Sequence, residues 1–188
     1  KEFALHYYEP ANAEVGKIHD LTCGTIGIFG GNGSGKTEHA LVEGIIRCTG
    51  IVPESLKDTY PRQKLRGPIH MRVVCESLTT VLEPIILPKL QYWSWSGDPQ
   101  HPGGPRGHWG WLPKHCLIEG DWKKSYNTRL RMLSVLYRNP ETGNVEGVSK
   151  IQFMSYDQDS SDFASGDVHY CLHDEPPKYP IWKENRAR

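Results

Sequence analysis

The chain has 188 residues, with 22 Lys and Arg against 22 Asp and Glu and a hydrophobic content of 37%, the profile of one globular domain spanning 1–188. No apolar run approaches the ~20 residues that cross a bilayer, no secretory leader is visible, and the zero formal net charge removes any global signature of a polyanion partner. Five scattered cysteines, odd in number and without a C-x-x-C pair, point to a reduced intracellular chain rather than a disulfide framework.

The first residue is Lys1 rather than methionine, which suggests an excised or processed chain. Its first two dozen residues read as an approach segment packed against a core that begins at Thr25-Ile26-Gly27-Ile28-Phe29. That short apolar run has β-branched residues and is expected to be a buried strand. Gly30-Gly31-Asn32-Gly33-Ser34-Gly35-Lys36-Thr37 follows, a complete G-x-x-x-x-G-K-[ST] phosphate-binding loop. Thr37 to Cys48 then reads as a helix with an apolar stripe of Ala40, Leu41, Ile45 and Ile46, stopped at Thr49-Gly50. Strand, glycine loop and helix come in the order that the motif requires. The glycines let successive N–H groups turn inward as an anion cradle, and the helix adds the positive end of its dipole. Lys36 can reach β- and γ-phosphates and the Thr37 hydroxyl can ligate Mg2+, so the segment predicts binding of a nucleoside triphosphate.

Ile69 to Cys75 reads as a second strand. Ser77 is positioned to cap a helix with Leu78, Val81, Leu82, Ile85 and Ile86 apolar, shortened or kinked by Pro84 and Pro88. Residues 93–113 are rich in Trp, Gly and Pro, which predicts an irregular insertion. His101, His108, His115 and Cys116 lack the compact spacing of a zinc site. The tryptophans at 93, 95, 109 and 111 are expected to pack within the insertion rather than stack on bases.

Between Asp121 and Arg138 five basic residues stand against one acid, a local patch able to face phosphates. Leu130–Tyr137 and Ser149–Met154 flank the turn signal Asn139-Pro140-Glu141-Thr142-Gly143-Asn144, which predicts an antiparallel hairpin. Val168–His173 is a final apolar strand, ending in Asp174-Glu175-Pro176-Pro177. Strand and helix alternate around a phosphate loop, which predicts an α/β, three-layer P-loop fold. Its central sheet should be mainly parallel, with the hairpin and the irregular insertion added. Parallel strands bring their carboxyl ends to one edge, so Asp174 is expected near the loop as a Mg2+ ligand, with Glu175 polarising the attacking water. His173 is expected to be a hydrogen-bonded strand-end histidine.

The chain resembles the ATPase domain of the large terminase subunit of tailed bacteriophages. The resemblance is carried by Gly30 through Thr37 with Glu38, by Ile151-Gln152-Phe153-Met154-Ser155-Tyr156-Asp157-Gln158, and by Asp174-Glu175-Pro176-Pro177. Lys183-Glu184-Asn185-Arg186 also resembles the helix that follows the acidic pair in that family. These segments come in the family's order and span nearly the whole chain. The resemblance implies Mg2+-dependent ATP hydrolysis that drives double-stranded DNA into a capsid. It implies a homo-oligomeric ring working with the portal and the small terminase subunit, in the cytoplasm of an infected cell and with no membrane association.

By position, Lys36 and Thr37 serve phosphates and magnesium, Asp174 the metal and Glu175 the hydrolytic water. The family's coupling motif and nuclease domain would lie beyond Arg188, so an N-terminal fragment without nuclease activity is expected. Some members carry an arginine finger before the acidic strand, but residues 156–173 contain no Arg or Lys. Arg129, Arg131 and Arg138 are the candidates for a group supplied in trans. The competing expectations are a helicase-like DNA motor, or an assembly module gated by nucleotide with negligible turnover.

Overall fold

The computed structural model describes residues 4–31, 33–91, 110–164 and 166–186. Its helices are α1 (Ala13–Asp20), α2 (Lys36–Thr49), α3 (Leu87–Leu90), α4 (Trp122–Ser125) and α5 (Tyr179–Arg186). A π-helix covers Leu78–Ile86 and several short 3-10 turns complete the helical content. The strands are β1 (His70–Cys75), β2 (Tyr126–Asn127), β3 (Met132–Arg138), β4 (Val145–Ser155) and β5 (Tyr170–His173), joined in one sheet in the order β2-β3-β4-β1-β5.

The architecture is α/β with a mixed sheet. β1 pairs parallel with both β4 and β5, whereas β3 is antiparallel to β4 and to β2. Only the β4-β1-β5 part is therefore parallel, because the hairpin expected as an addition to the sheet supplies β4 itself, one of its central strands. Its turn forms as the sequence predicts: Asn139 Oδ1 accepts from the amides of Glu141 and Thr142, and Gly143 adopts φ 72°. β1 lies between two partners and is covered on both faces, so it is buried without a break from Met71 to Cys75, Arg72 included. Met71, Val73 and Cys75 join the principal core with Leu41, Ile45 and Leu82, whereas Val74 packs in a second cluster with Met154, Phe163 and Ile181. Helical segments thus cover both faces of the sheet. Among the described residues no helix is long and apolar enough to cross a membrane.

α2 is the most deeply embedded helix. Beyond the expected stripe it also buries His39, Val42, Glu43, Gly44, Cys48 and Thr49. It ends at Gly50, whose φ of 74° and N–H to the Ile46 carbonyl (2.8 Å) form a left-handed cap.

Thr25–Phe29 does not form the expected strand, and Phe29 is 93% exposed. The segment makes no ladder with β5, because a cleft of about 780 Å³ separates residues 22–28 from residues 168–174. The expected helix after Ser77 forms, with π-helical geometry over Leu78–Ile86. Ser77 caps it as expected, accepting from the Thr80 amide at 3.2 Å, and the wider turn runs through Pro84. Of the segment 93–113, residues 93–109, including His101, His108, Trp93, Trp95 and Trp109, lie outside the described residues. Trp111 is described and packs on Tyr8 while donating to Glu38 (2.8 Å). Neither His115 nor Cys116 belongs to a metal-ligand group among the described residues.

Candidate functional site

Residues 30–37 turn from the irregular segment into α2. Asn32 lies outside the described residues. Gly33 and Gly35 have φ of 76° and 79°, conformations that glycine adopts without the Cβ penalty, and the Ser34 amide closes on the Gly31 carbonyl at 3.3 Å. Gly35 is the N-cap of α2 and offers no side chain to its first-turn amides. Lys36 folds back over the loop, its Nζ donating to the carbonyls of Gly30 (3.0 Å) and Gly31 (2.9 Å).

Thr37 and Asp174, 137 positions apart, meet: Thr37 Oγ1 donates to Asp174 Oδ1 at 2.6 Å. The contact arises because β5 runs parallel to β1 and ends at the sheet edge where α2 begins. The Asp174 amide extends that pairing by one bond to the Val74 carbonyl at 3.0 Å. Lys36, Thr37 and Asp174 all line the cleft that separates residues 22–28 from β5. The next residue, Glu175, is exposed, and its carbonyl accepts from the Tyr156 hydroxyl at 2.5 Å. Asp174 therefore turns toward the loop, while Glu175 is exposed and is not among the residues that line the cleft.

No group of three His, Cys, Asp or Glu side chains able to hold a metal occurs among the described residues. A Thr hydroxyl beside one carboxylate nevertheless fits Mg2+, which commonly takes one or two protein oxygens and completes its shell with phosphate and water.

The candidate arginines are not brought to this site within the chain. Arg129 is exposed ahead of β3, Arg131 pairs with Glu83 (2.8 Å), and Arg138 donates to the carbonyls of Gly143 and His115. Two strands, β4 and β1, stand between β3 and β5, so the gap is about 14 Å across the sheet.

Sequence reasoning missed two buried polar systems that flank the site. Behind the first turn of α2, Tyr8 joins His39 Nδ1 (2.5 Å) to His19 Nε2 (2.9 Å), and His19 Nδ1 reaches Glu43 Oε2 (2.9 Å). Glu43, 2% exposed, also accepts from Arg47 (2.8 Å), Lys64 (3.0 Å) and Tyr60 (3.3 Å). Burial, then Glu38 and Glu43, push the Tyr8 phenol well above its ordinary range. Burial pulls His39 down, against the opposing pull of Glu38. The Glu43–Arg47 spacing of four is the one part of this system with a sequence signal.

The second system begins at Arg72, fully buried in β1. Its guanidinium donates to the Phe163 carbonyl (2.9 Å), to Asn185 Oδ1 (2.6 Å) and to Gln152 Oε1 (3.2 Å). Asn185 in turn contacts His173 Nε2 (3.4 Å), and His173 Nδ1 contacts Tyr156 (3.2 Å). Burial and then Arg72 hold the His173 imidazole down to about 4, so it is neutral at pH 7, as a satisfied strand-end histidine should be.

Comparison with known proteins finds no family model, no curated protein and no solved structure that matches the chain.

Proposed function

We propose that this chain is a Mg2+-dependent ATPase of the P-loop class with the three-layer fold of that class. More specifically, it is the ATPase domain of a terminase large subunit, working in a homo-oligomeric ring that moves double-stranded DNA into a capsid. The observation that carries the ATPase reading is the 2.6 Å contact between Thr37 and Asp174, beside a glycine loop whose lysine covers the anion position. The DNA-packaging reading rests on the resemblance of the Ser155–Gln158 and Asp174–Pro177 segments, supported by the strand and helix contexts in which they lie.

In this reading the amides of residues 33–37 and the Lys36 ammonium bind the phosphate chain and orient it over the first turn of α2. Thr37 and Asp174 would hold Mg2+, which neutralises charge on the phosphate oxygens. Glu175, one residue beyond the metal carboxylate, accepts the proton of the attacking water. An arginine from a neighbouring subunit, with Arg129 the most exposed candidate, would complete the charge balance, so the isolated chain hydrolyses ATP slowly. The portal and the small terminase subunit are the partners that this reading implies, in the cytoplasm of the infected cell.

Phosphate release from MgATP, measured against protein concentration, tests the proposal. Glu175→Gln should abolish turnover while ATP still binds, and Lys36→Ala should lose binding. Absence of saturable MgATP binding, or equal binding by Lys36→Ala, would overturn it.

A further inference from the structure

Tyr156 stands between Glu175, which the proposed reaction needs, and His173, which it does not. Its hydroxyl bonds the Glu175 carbonyl (2.5 Å) and His173 Nδ1 (3.2 Å), and its ring lies parallel to the His173 ring with centroids 6.0 Å apart. The turn that carries it is fixed on both sides. The Tyr156 amide donates to the Cys75 carbonyl (3.0 Å), and Gln158 Oε1 accepts from the Ser155 amide (2.9 Å).

Donor and acceptor roles along this line are determined by its two ends. A carbonyl oxygen only accepts, so the single Tyr156 hydroxyl hydrogen goes to Glu175. The phenolic oxygen must then accept, which puts the His173 proton on Nδ1. A guanidinium only donates, so Arg72 holds Asn185 Oδ1. The Asn185 N–H2 then faces His173 Nε2, which accepts from it (3.4 Å) beside the Cys171 thiol (3.5 Å). Every bond from the centre of β1 to the peptide after Glu175 therefore points in one direction, with no donor facing a donor.

We propose that Tyr156 is a positioning residue for Glu175: at the end of the Arg72–Asn185–His173 line, its hydroxyl pins the Glu175–Pro176 peptide and thereby sets where the Glu175 carboxylate stands. The carboxylate itself is exposed at a strand end, and the pinned peptide is the restraint on its backbone that the structure shows. The inference rests on the proposed role of Glu175. Its structural half, an anchored Glu175–Pro176 peptide, does not depend on nucleotide.

Tyr156→Phe in the full chain removes the hydroxyl and keeps the ring. Two readouts separate this inference from the reading that it rests on. Exchange of the Asp174 amide, which bonds the Val74 carbonyl (3.0 Å) next to the pinned peptide, measured without nucleotide, should quicken about tenfold, the scale of one lost hydrogen bond. Steady-state hydrolysis of MgATP should show kcat lower by about tenfold with KM within about twofold, because a misplaced base leaves ground-state binding untouched. Asn185→Leu, which frees His173 to take the other tautomer, should shift both readouts in the same direction. Unchanged exchange, or a raised KM at unchanged kcat, overturns the inference. If wild-type protein neither binds nor hydrolyses MgATP, the proposed function fails, and the exchange measurement alone decides whether Tyr156 anchors the peptide.

Discussion

Replacing Glu43 by alanine tests how the chain tolerates so much charge inside α2. The carboxylate is 2% exposed and faces three nitrogen bases and a phenol, with Lys64 at 3.0 Å the most buried of the cations at 3% side-chain exposure. Without Glu43 the Lys64 ammonium keeps the carbonyls of Ile18 (3.3 Å) and His19 (2.7 Å) as acceptors and the Tyr60 ring, 5.0 Å away, but no carboxylate in hydrogen-bond contact. A buried ion stripped of its partner costs about 3–5 kcal/mol. The two remaining carbonyls and the 20% exposure of Arg47 argue for the lower end, about 3 kcal/mol. Set against a total of roughly 5–15 kcal/mol, that is a large fraction.

Urea unfolding at pH 7, followed by tryptophan fluorescence, reads the loss as a lower midpoint at constant slope. Glu43→Gln with Lys64→Met should recover part of it, because no unpaired ammonium then stays inside. A loss below about 1 kcal/mol for Glu43→Ala would refute the argument, since that is what a single neutral hydrogen bond is worth. Acid gives a second reading. Burial alone would raise the Glu43 carboxyl, but the His19 hydrogen bond, Arg47 and Lys64 outweigh it and set it below its ordinary value. Its contribution is therefore complete above the ordinary glutamate range and disappears as pH falls through the lowered folded value. Glu43→Gln should lack that part of the acid transition.

Gly50→Ala should be severely destabilising, by about 2 kcal/mol or more. The residue has φ 74°, and an added Cβ would lie 2.0 Å from the Arg138 carbonyl oxygen, an atom that cannot move without breaking the hairpin. Gly44→Ala should cost less, near 1 kcal/mol, because its Cβ meets the mobile end of Met71 (Cε at 2.3 Å); thermal melts of the two variants order them. His70 and His115 both lie below the ordinary histidine value, chiefly through burial. Arg72 and then Lys150 add to the effect at His70, and Arg138 at His115. The unfolded chain binds protons first, so their contribution is complete above about pH 6.5 and is lost as pH falls toward the folded values. The urea midpoint should drop between pH 7.5 and 5.5, and an unchanged midpoint would contradict it.

The features legible in the sequence are those fixed by local chemistry. α2 runs from Lys36 to Thr49 where the pattern placed Thr37 to Cys48, and Gly50 ends it with the left-handed φ that its position implied. The Asn139–Asn144 turn and its hairpin were equally readable, because Asn and Gly at set offsets make the bends themselves. The meeting of Thr37 with Asp174 followed from one non-local rule, that parallel strands gather their carboxyl ends. What could not be read depended on partners far along the chain. The run Thr25–Phe29 has strand composition, yet composition does not say whether an edge lies within bonding distance, and here a cleft intervenes. Nothing in the sequence marks Arg72 as buried; bonds to the Phe163 carbonyl, Asn185 and Gln152 make its complete burial tolerable. Tyr8, His19, His39 and Glu43 come from three separate segments, with no spacing to connect them.

The folded-back Lys36 has a consequence for which anions this loop can hold. The ammonium already has two carbonyl acceptors, from Gly30 and Gly31, so recruiting it is an exchange and not a gain. Each charge-assisted bond is worth about 1.5–3 kcal/mol, and a newcomer must return at least as much as it displaces. A lone monovalent anion offering one oxygen to Lys36 falls short of that threshold. In the proposed reading, a chain of linked phosphates would meet it, because its second and third groups would engage the loop amides at no further translational cost. The lysine's resting contacts would then act as a filter on ligand charge and length.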